Sequence, residues 1–277
     1  MIQIHHARPD ETGSAEALWT ETFGDGPVFQ REFYRLCAPE GPLVLMEDGA
    51  LCCMLALPEL ALVLADGRRL RAGYIYALAT RQERRGQGYA AMLIETAAGL
   101  AHNRGLDCLL TVPAQPSLFR FFARCGFCPG FYCKEETAAP KAARLERIPP
   151  EEYAPLREGL LAGTAHTAYT TDQLACQQAV CPHPGSGLYR LELAHGPGCA
   201  AVEDWPDGPA VKELLCAPED AGQGAAACAA LCGTSAKVRT PAGRLDGQPF
   251  GAVRWLPGTP SSIRGLALEG WMGMAFD

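Results

Sequence analysis

No apolar run in this 277-residue sequence approaches the roughly twenty residues that a membrane-spanning helix needs. The N-terminus, MIQIHHARPDE, lacks the charged-then-apolar order of a secretory signal. Positive charge is scarce as well: the net charge is −7, and the only basic cluster is Arg81–Arg85. That removes the electrostatic footprint of a nucleic-acid binder and leaves a field that mildly steers cations such as amines. Neither a membrane nor a nucleic acid is therefore expected as a partner, and the cytoplasm is the expected compartment.

Metal-ligand spacing is missing too. Cys125, Cys128 and Cys133 stand near one another, but no second cysteine pair or histidine follows at zinc-site spacing, so no metal is expected. The cysteines number 13, an odd count spread through apparent strands and helices. Such a distribution suits buried thiols in a reducing compartment better than a disulfide frame. Apolar content of 48% and charged content of 20% describe a soluble globular chain long enough for one large or two modest domains.

What the sequence does contain is concentrated in Gly73–Leu100, GYIYALATRQERRGQGYAAMLIETAAGL. A buried strand (Tyr74–Thr80) runs into a charged turn (Arg81–Arg85), a glycine loop (Gly86-Gln87-Gly88) and a helix whose apolar face is Ala90, Leu93, Ile94, Ala97 and Ala101. The glycines thus sit at a helix N-terminus, where unpaired N–H groups and the dipole favour an anion and where a bare backbone admits a phosphate. Arg84 and Arg85 add charge-assisted donors, and a pyrophosphate is the natural guest. Gly86-x-Gly88-x-x-Ala91 also fits a dinucleotide-binding fingerprint, but Arg81–Arg85 intervene between strand and glycines, and Asp107 precedes its strand instead of following it. A purely structural glycine turn is the plainer alternative.

Arg85-Gly86-Gln87-Gly88-Tyr89-Ala90 resembles the R-x-x-G-x-G/A signature of the GCN5-related N-acetyltransferase (GNAT) superfamily. A following strand, Cys108–Val112, and the segment Gln115 to Phe127 resemble that family's next strand and its N-x-x-A-x-x-x-Y-x-x-x-G-F helix. The resemblance runs from residue 1 to about 135. It implies an α+β fold: a mixed, mostly antiparallel sheet flanked by helices. Within it fall a strand Ile2–Ile4, helices bearing Ala15, Leu18, Trp19 and Thr22 and then Phe29, Phe33 and Tyr34, a hairpin turning at Asp48-Gly49, and a strand Leu60–Ala65. Asp10 is the expected cap of the first helix.

By resemblance the activity is transfer of an acetyl group from acetyl-coenzyme A to a primary amine of a small molecule or peptide. The expected cofactor contacts are Tyr76, Ala77, Leu78, Arg84, Arg85, Gly86, Gln87, Gly88, Tyr89, Ala90, Ser117 and Leu118. The family's usual acid, a tyrosine four residues before the Gly-Phe pair, is Phe122 here, so the catalytic residue is open. Tyr76, Tyr132 and the carboxylate of Asp277 are conceivable substitutes. An acyl-coenzyme A binder without turnover is the alternative reading.

Thr137–Arg144 reads as a linker, which gives an N-terminal domain at 1–138 and a C-terminal one at 144–277. In the second, helices Glu151–Leu161 and Thr171–Val180 and strands Gly187–Leu193, Gly198–Asp204 and Ala210–Cys216 precede Ala221-Gly222-Gln223-Gly224-Ala225-Ala226, which repeats the first loop without its arginine and tyrosine. This half reads as a degenerate, smaller GNAT-like unit that shapes the acceptor pocket or an oligomer interface, with a homodimer admitted. An unrelated α+β domain stays open. Gly270–Asp277 reads as a closing strand.

Overall fold

The computed structural model describes residues 1–141, 144–205 and 208–276. Along the chain the elements are β1 (Ile2–His6), α1 (Pro9–Phe23), α2 (Pro27–Leu36), β2 (Leu43–Glu47), β3 (Ala50–Ala56), β4 (Glu59–Val63), β5 (Arg69–Thr80), α3 (Tyr89–Asn103), β6 (Cys108–Thr111), α4 (Phe119–Arg124) and β7 (Cys128–Ala138). They continue as β8 (Leu145–Arg147), α5 (Pro150–Leu160), β9 (Ala165–Ala168), α6 (Thr171–Val180), β10 (Gly187–Leu193), β11 (Gly196–Trp205), β12 (Gly208–Leu215), α7 (Ala221–Leu231), β13 (Ala236–Pro241), β14 (Gln248–Trp255), α8 (Ser261–Arg264) and β15 (Gly270–Trp271). The architecture is the expected α+β one, with mixed sheets and flanking helices.

Two compact units emerge, and neither is one continuous stretch of chain. The first comprises Met1–Ala61, Leu70–Pro129 and Gly251–Ala267; the second comprises Leu62–Arg69, Gly130–Phe250 and the residues from Leu268 onward. In the first unit the strands lie in the order β1-β2-β3-β5-β6-β14. Every neighbouring pair is antiparallel except β5 and β6, which run parallel from Ala72↔Cys108 to Ile75↔Thr111. The β2–β3 hairpin turns through Asp48 and Gly49, both at positive φ (51° and 79°), the twist a two-residue turn requires.

Side chains alternate along β5, so its two faces meet different partners. Ile75 joins the core under α3, where Leu93, Ile94, Ala97, Ala98 and Ala101 pack on Leu45, Leu55, Leu109, Ala252 and Leu256. Each fully buried leucine or isoleucine of that stripe contributes about 1.5–3 kcal/mol. On the other face Tyr74 and Tyr76 meet rings from α1 and α2: Tyr76 lies 4.8 Å from Phe33 and 5.6 Å from Trp19. The cap of α1 is Arg8 instead of Asp10, because Pro9 takes the first helical position and Glu11 reaches back to the Arg8 N–H at 2.9 Å.

The second unit repeats the central pattern. Its strands run β8-β10-β11-β12-β13-β7, again antiparallel except for one parallel pair, β12 with β13. The segment read as a linker is partly strand, since β7 extends through Ala138, opposite Ala236. Ala142, Ala143 and Asp277 lie outside the described residues. The closing strand is only two residues long, β15, parallel to both β7 and β9.

Inside this unit Arg157 and Glu213 form a fully buried pair: Arg157 Nε donates to the two carboxylate oxygens at 2.8 and 3.1 Å. Tyr153 Oη and Trp271 Nε1 also donate to that carboxylate, at 2.8 and 2.5 Å, and Arg157 Nη1 donates to the Thr167 carbonyl at 2.6 Å. Removing one partner of such a pair strands the other charge away from water, which costs about 3–5 kcal/mol. Arg157→Ala should therefore lower the urea midpoint by that equivalent, while Glu213→Gln, which keeps the shape and some hydrogen bonds, still leaves the guanidinium uncompensated and falls in the same range. A chain stopped at residue 138 lacks the strand that pairs with β6. It should be recovered aggregated, as judged by size-exclusion chromatography.

Candidate active site in the first unit

Three local features converge where β5 ends. The first is a bulge. Opposite β3 the pairs are Ala56↔Tyr76 and then Met54↔Ala79, so β5 carries one residue more than its partner over this span. Ala77 takes up the difference at φ 49°, a left-handed conformation seldom adopted by alanine. The second is a parting of strands. The β5–β6 ladder ends at Ile75↔Thr111, while β5 runs on to Thr80. Tyr76, Ala77 and Leu78 thus lie beyond the last β5–β6 pair. At the base of the split a Cβ on Gly73 would stand 2.9 Å from Leu109 Cδ2, so any side chain there must displace that leucine.

The third is the glycine loop. After a 3-10 turn (Gln82–Arg84), Gly86 and Gly88 adopt φ 78° and 83°, and Gly88 is the N-cap of α3. A Cβ built on either glycine would meet nothing within 4 Å, so the backbone faces open space. No side chain caps this 15-residue helix, and its first turn holds no acidic residue. The N–H groups of Tyr89, Ala90 and Ala91 are left for an outside acceptor. This cradle fits an anionic group of phosphate size.

The charged side chains around the loop divide into spent and free. Arg84 Nη1 is paired with Glu47 Oε2 at 2.8 Å, and Arg81 Nε donates to the Leu51 carbonyl at 3.0 Å. Arg85 is exposed; its Nε donates to the Thr80 carbonyl at 3.2 Å, and its two terminal nitrogens have no partner among the described residues. Gln87 Oε1 accepts from Tyr89 Oη at 2.9 Å, which braces the loop against the first turn of the helix. Burial, and then the neighbouring Glu47, hold the Tyr89 phenol above its usual range, so it stays protonated as that donor.

Ser117 and Leu118 lie exposed in the 3-10 turn before α4. Phe122 is buried among Phe121 and Phe127, a core ring with no acid to offer. Of the conceivable substitutes, Tyr76 stands at the split itself, Tyr132 lies on β7 in the second unit, and Asp277 is outside the described residues.

Two elements of the site escape sequence reading. The bulge has no residue signal, since Ala77 is not a glycine. The strand on the far side of β6 is Ala252–Trp255, more than a hundred residues downstream; its alternating FGAVRW is the signal that could have found it. From that strand Arg254 makes a two-point pair with Glu95 of α3 (2.6 and 2.8 Å) and donates to the Cys125 carbonyl at 3.0 Å.

In the second unit the repeated glycines do not form a loop. Gly222 and Gly224 lie inside α7 at ordinary helical φ, and Gly224 is small because Leu214 packs against it. At that helix's N-terminus sits the buried Asp220, whose carboxylate accepts from the His195 N–H at 2.8 Å and meets His195 Nδ1 at 3.0 Å. The carboxylate is engaged by His195 and does not cap the helix N–H groups, but its negative charge at this end disfavours an anion.

Comparison with known proteins agrees with this geometry. A model of the acetyltransferase (GNAT) domain matches residues 3–129. The structure is similar to a conserved protein of Enterococcus faecalis V583 described as a probable N-acyltransferase, with TM-score 0.68 and 13% identity over 92% of this chain and 73% of that one. It is similar to a GCN5-related N-acetyltransferase from Kribbella flavida (TM-score 0.63, 12% identity, 92% and 70% covered). It is also similar to Eis1 from Mycobacterium abscessus (0.62, 13%, 92% and 73%). No curated protein matches the chain by sequence. At these identities the structural likeness speaks for the fold, and the domain match speaks for residues 3–129 alone. Residues 3–129, a little under half of the chain, are similar to the acetyltransferase (GNAT) domain.

Proposed function

We propose that the protein is an acetyl-coenzyme A-dependent N-acetyltransferase whose acceptor is a primary amine of a small molecule or peptide. The observation that carries this reading is the pairing of an open, uncapped glycine cradle at the start of α3 with a split between β5 and β6 one strand-end away. The N–H groups of the loop, with Arg85 beside them, suit the pyrophosphate. The backbone of Tyr76, Ala77 and Leu78, beyond the last β5–β6 pair, suits the extended acyl-pantetheine chain and is placed where a thioester oxygen gains charge. Ser117 and Leu118 are the proposed contacts beyond the split.

The reading of two similar units finds support in the strand orders, while the compact units exchange segments across the expected bounds 1–138 and 144–277. Each unit has four antiparallel steps around one parallel pair, and each draws its last strand from the other half of the chain. Only the first unit has a usable anion cradle, so one cofactor site per chain is expected. Every described cysteine is free, in keeping with a cytoplasmic setting. Phe122 favours one second reading, an acyl-coenzyme A binder without turnover.

Calorimetric titration with acetyl-coenzyme A should give micromolar binding at one site per chain, lost in Gly88→Trp, whose side chain fills the cradle. Absence of binding would sink the reading; binding without thiol release across a broad amine panel would favour the binder. Arg85→Ala should weaken the cofactor about tenfold, the weight of one charge-assisted hydrogen bond. Arg84→Ala should change it less than about threefold, because that guanidinium is spent on Glu47 and exposed pairs carry little. The Arg85 effect should shrink in high salt.

A further inference from the structure

A cavity of about 500 Å³, open to solvent, lies in the first unit between the first turns of α1, the β2–β3 hairpin and the 3-10 turn that leads into the glycine loop. Tyr76, Ala77 and Leu78 do not line it, so it is separate from the split in the sheet. Met46 and Leu51 give it an apolar patch.

Charges of both signs surround that patch, and most of them are already matched. Arg8 is paired with Glu11, which also accepts the Arg8 backbone N–H at 2.9 Å, and Arg84 is paired with Glu47 at 2.8 Å. Three lining groups are left. Arg81 is held in place by its Nε bond to the Leu51 carbonyl at 3.0 Å, and one of its terminal nitrogens stands 4.0 Å from the exposed Glu21. Asp10 of α1 and Glu83 of the turn are exposed carboxylates that enter no hydrogen bond or ion pair among the described residues.

One fixed guanidinium and two carboxylates have a chemical complement: a small molecule with one carboxylate and two ammonium groups. The apolar patch adds a condition, since two cations joined by a methylene chain can lay that chain on Met46 and Leu51. A dicarboxylate would meet Asp10 and Glu83, and a diamine without a carboxylate would leave Arg81 unmatched.

We propose that this pocket binds a free diamino acid of the lysine type, with its carboxylate on Arg81 and its two ammonium groups on Asp10 and Glu83. The site is regulatory. Its 3-10 turn, Gln82–Arg84, runs directly into Arg85 and the glycine loop, so a molecule that pins Arg81 and Glu83 also steadies the backbone that receives the pyrophosphate. By linkage, the cofactor then strengthens the hold on the amino acid by the same factor.

The test is calorimetric titration of L-lysine into the full chain, alone and with saturating coenzyme A, which carries the pyrophosphate but no acyl group to transfer. L-lysine should bind once per chain with a Kd of about 1 mM, the weakness expected of exposed charge pairs. Coenzyme A should tighten it about fivefold. Cadaverine, which lacks the carboxylate, 6-aminohexanoate, which lacks the α-amine, and L-glutamate should each bind about fivefold more weakly or worse. Asp10→Asn and Glu83→Gln should each weaken lysine about fivefold. In both variants the melting temperature should hold, and the Kd for coenzyme A without lysine should move less than about twofold.

Absence of lysine binding, equal binding of cadaverine or 6-aminohexanoate, or silent variants overturn the inference, the last meaning that Asp10 and Glu83 are only solvated. Lysine affinity unmoved by coenzyme A overturns the regulatory role. Thiol release from acetyl-coenzyme A that requires lysine and falls in both variants overturns it too, by making the pocket an acceptor site. Failure of the transferase reading looks different, as loss of coenzyme A binding. In that case the lysine titration alone decides: binding that Glu83→Gln weakens upholds the pocket, and no binding removes it.

Discussion

The parting of β5 from β6 is the constraint on which the rest of the first unit depends. Two parallel strands that paired to their ends would leave no backbone group for a ligand. Here the ladder stops at Ile75↔Thr111, and the bulge at Ala77 puts an extra residue into β5 just beyond it. A left-handed alanine costs about 1 kcal/mol or more and persists only where its surroundings over-determine it. Those surroundings are the pairs Ala56↔Tyr76 and Met54↔Ala79 on one edge and the ring stack of Tyr76 on Phe33 and Trp19 above. β6 in turn is held from its other edge by Ala252–Trp255, so it does not follow β5 across the split.

The two helices that connect the strands of the parallel pairs show how a small change at an N-terminus decides between binding and packing. Gly86 and Gly88 are left-handed, lie before α3, and present their backbone to open space. Gly222 and Gly224 lie one turn later relative to their helix, inside α7, where the second serves the close approach of Leu214. Asp220, held by His195, completes the difference with a carboxylate at the dipole's positive end. Similar letters thus produce an anion cradle in one unit and a packed helix start in the other.

Legibility in the sequence follows the range of the interactions involved. Elements set by local periodicity and turn chemistry were readable: the Asp48-Gly49 hairpin, the α3 stripe, α6 at Thr171–Val180, and the left-handed Gly126 that ends α4. The glycine cradle was readable because glycine at a positive φ announces itself. Partners chosen across long sequence separations were not. Nothing near Cys108 says that its outer neighbour is Trp255, nor near Cys133 that it faces Pro241. The bulge was silent because pairing on both sides, not the identity of Ala77, imposes it. Gln30 was passed over because a polar residue on an amphipathic helix normally faces water, and only the α1–α2 packing reveals that it does not.

Phe122 bears on rate more than on whether the reaction can occur. A positioned acid typically contributes 10²- to 10⁴-fold, most of all when the leaving group is a poor one. A thiol has an unperturbed pKa of about 8.5, so its thiolate departs near neutral pH at modest cost without a proton delivered in step. The harder demand lies on the other side of the carbonyl: an alkylammonium titrates near 10, as a lysine does, and only its neutral form attacks. A dry acceptor site favours that neutral form, because burial penalises the charged one. That desolvation sets the fraction of bound acceptor that is ready to react, and it does so with Phe122 in the core and no phenol at that position.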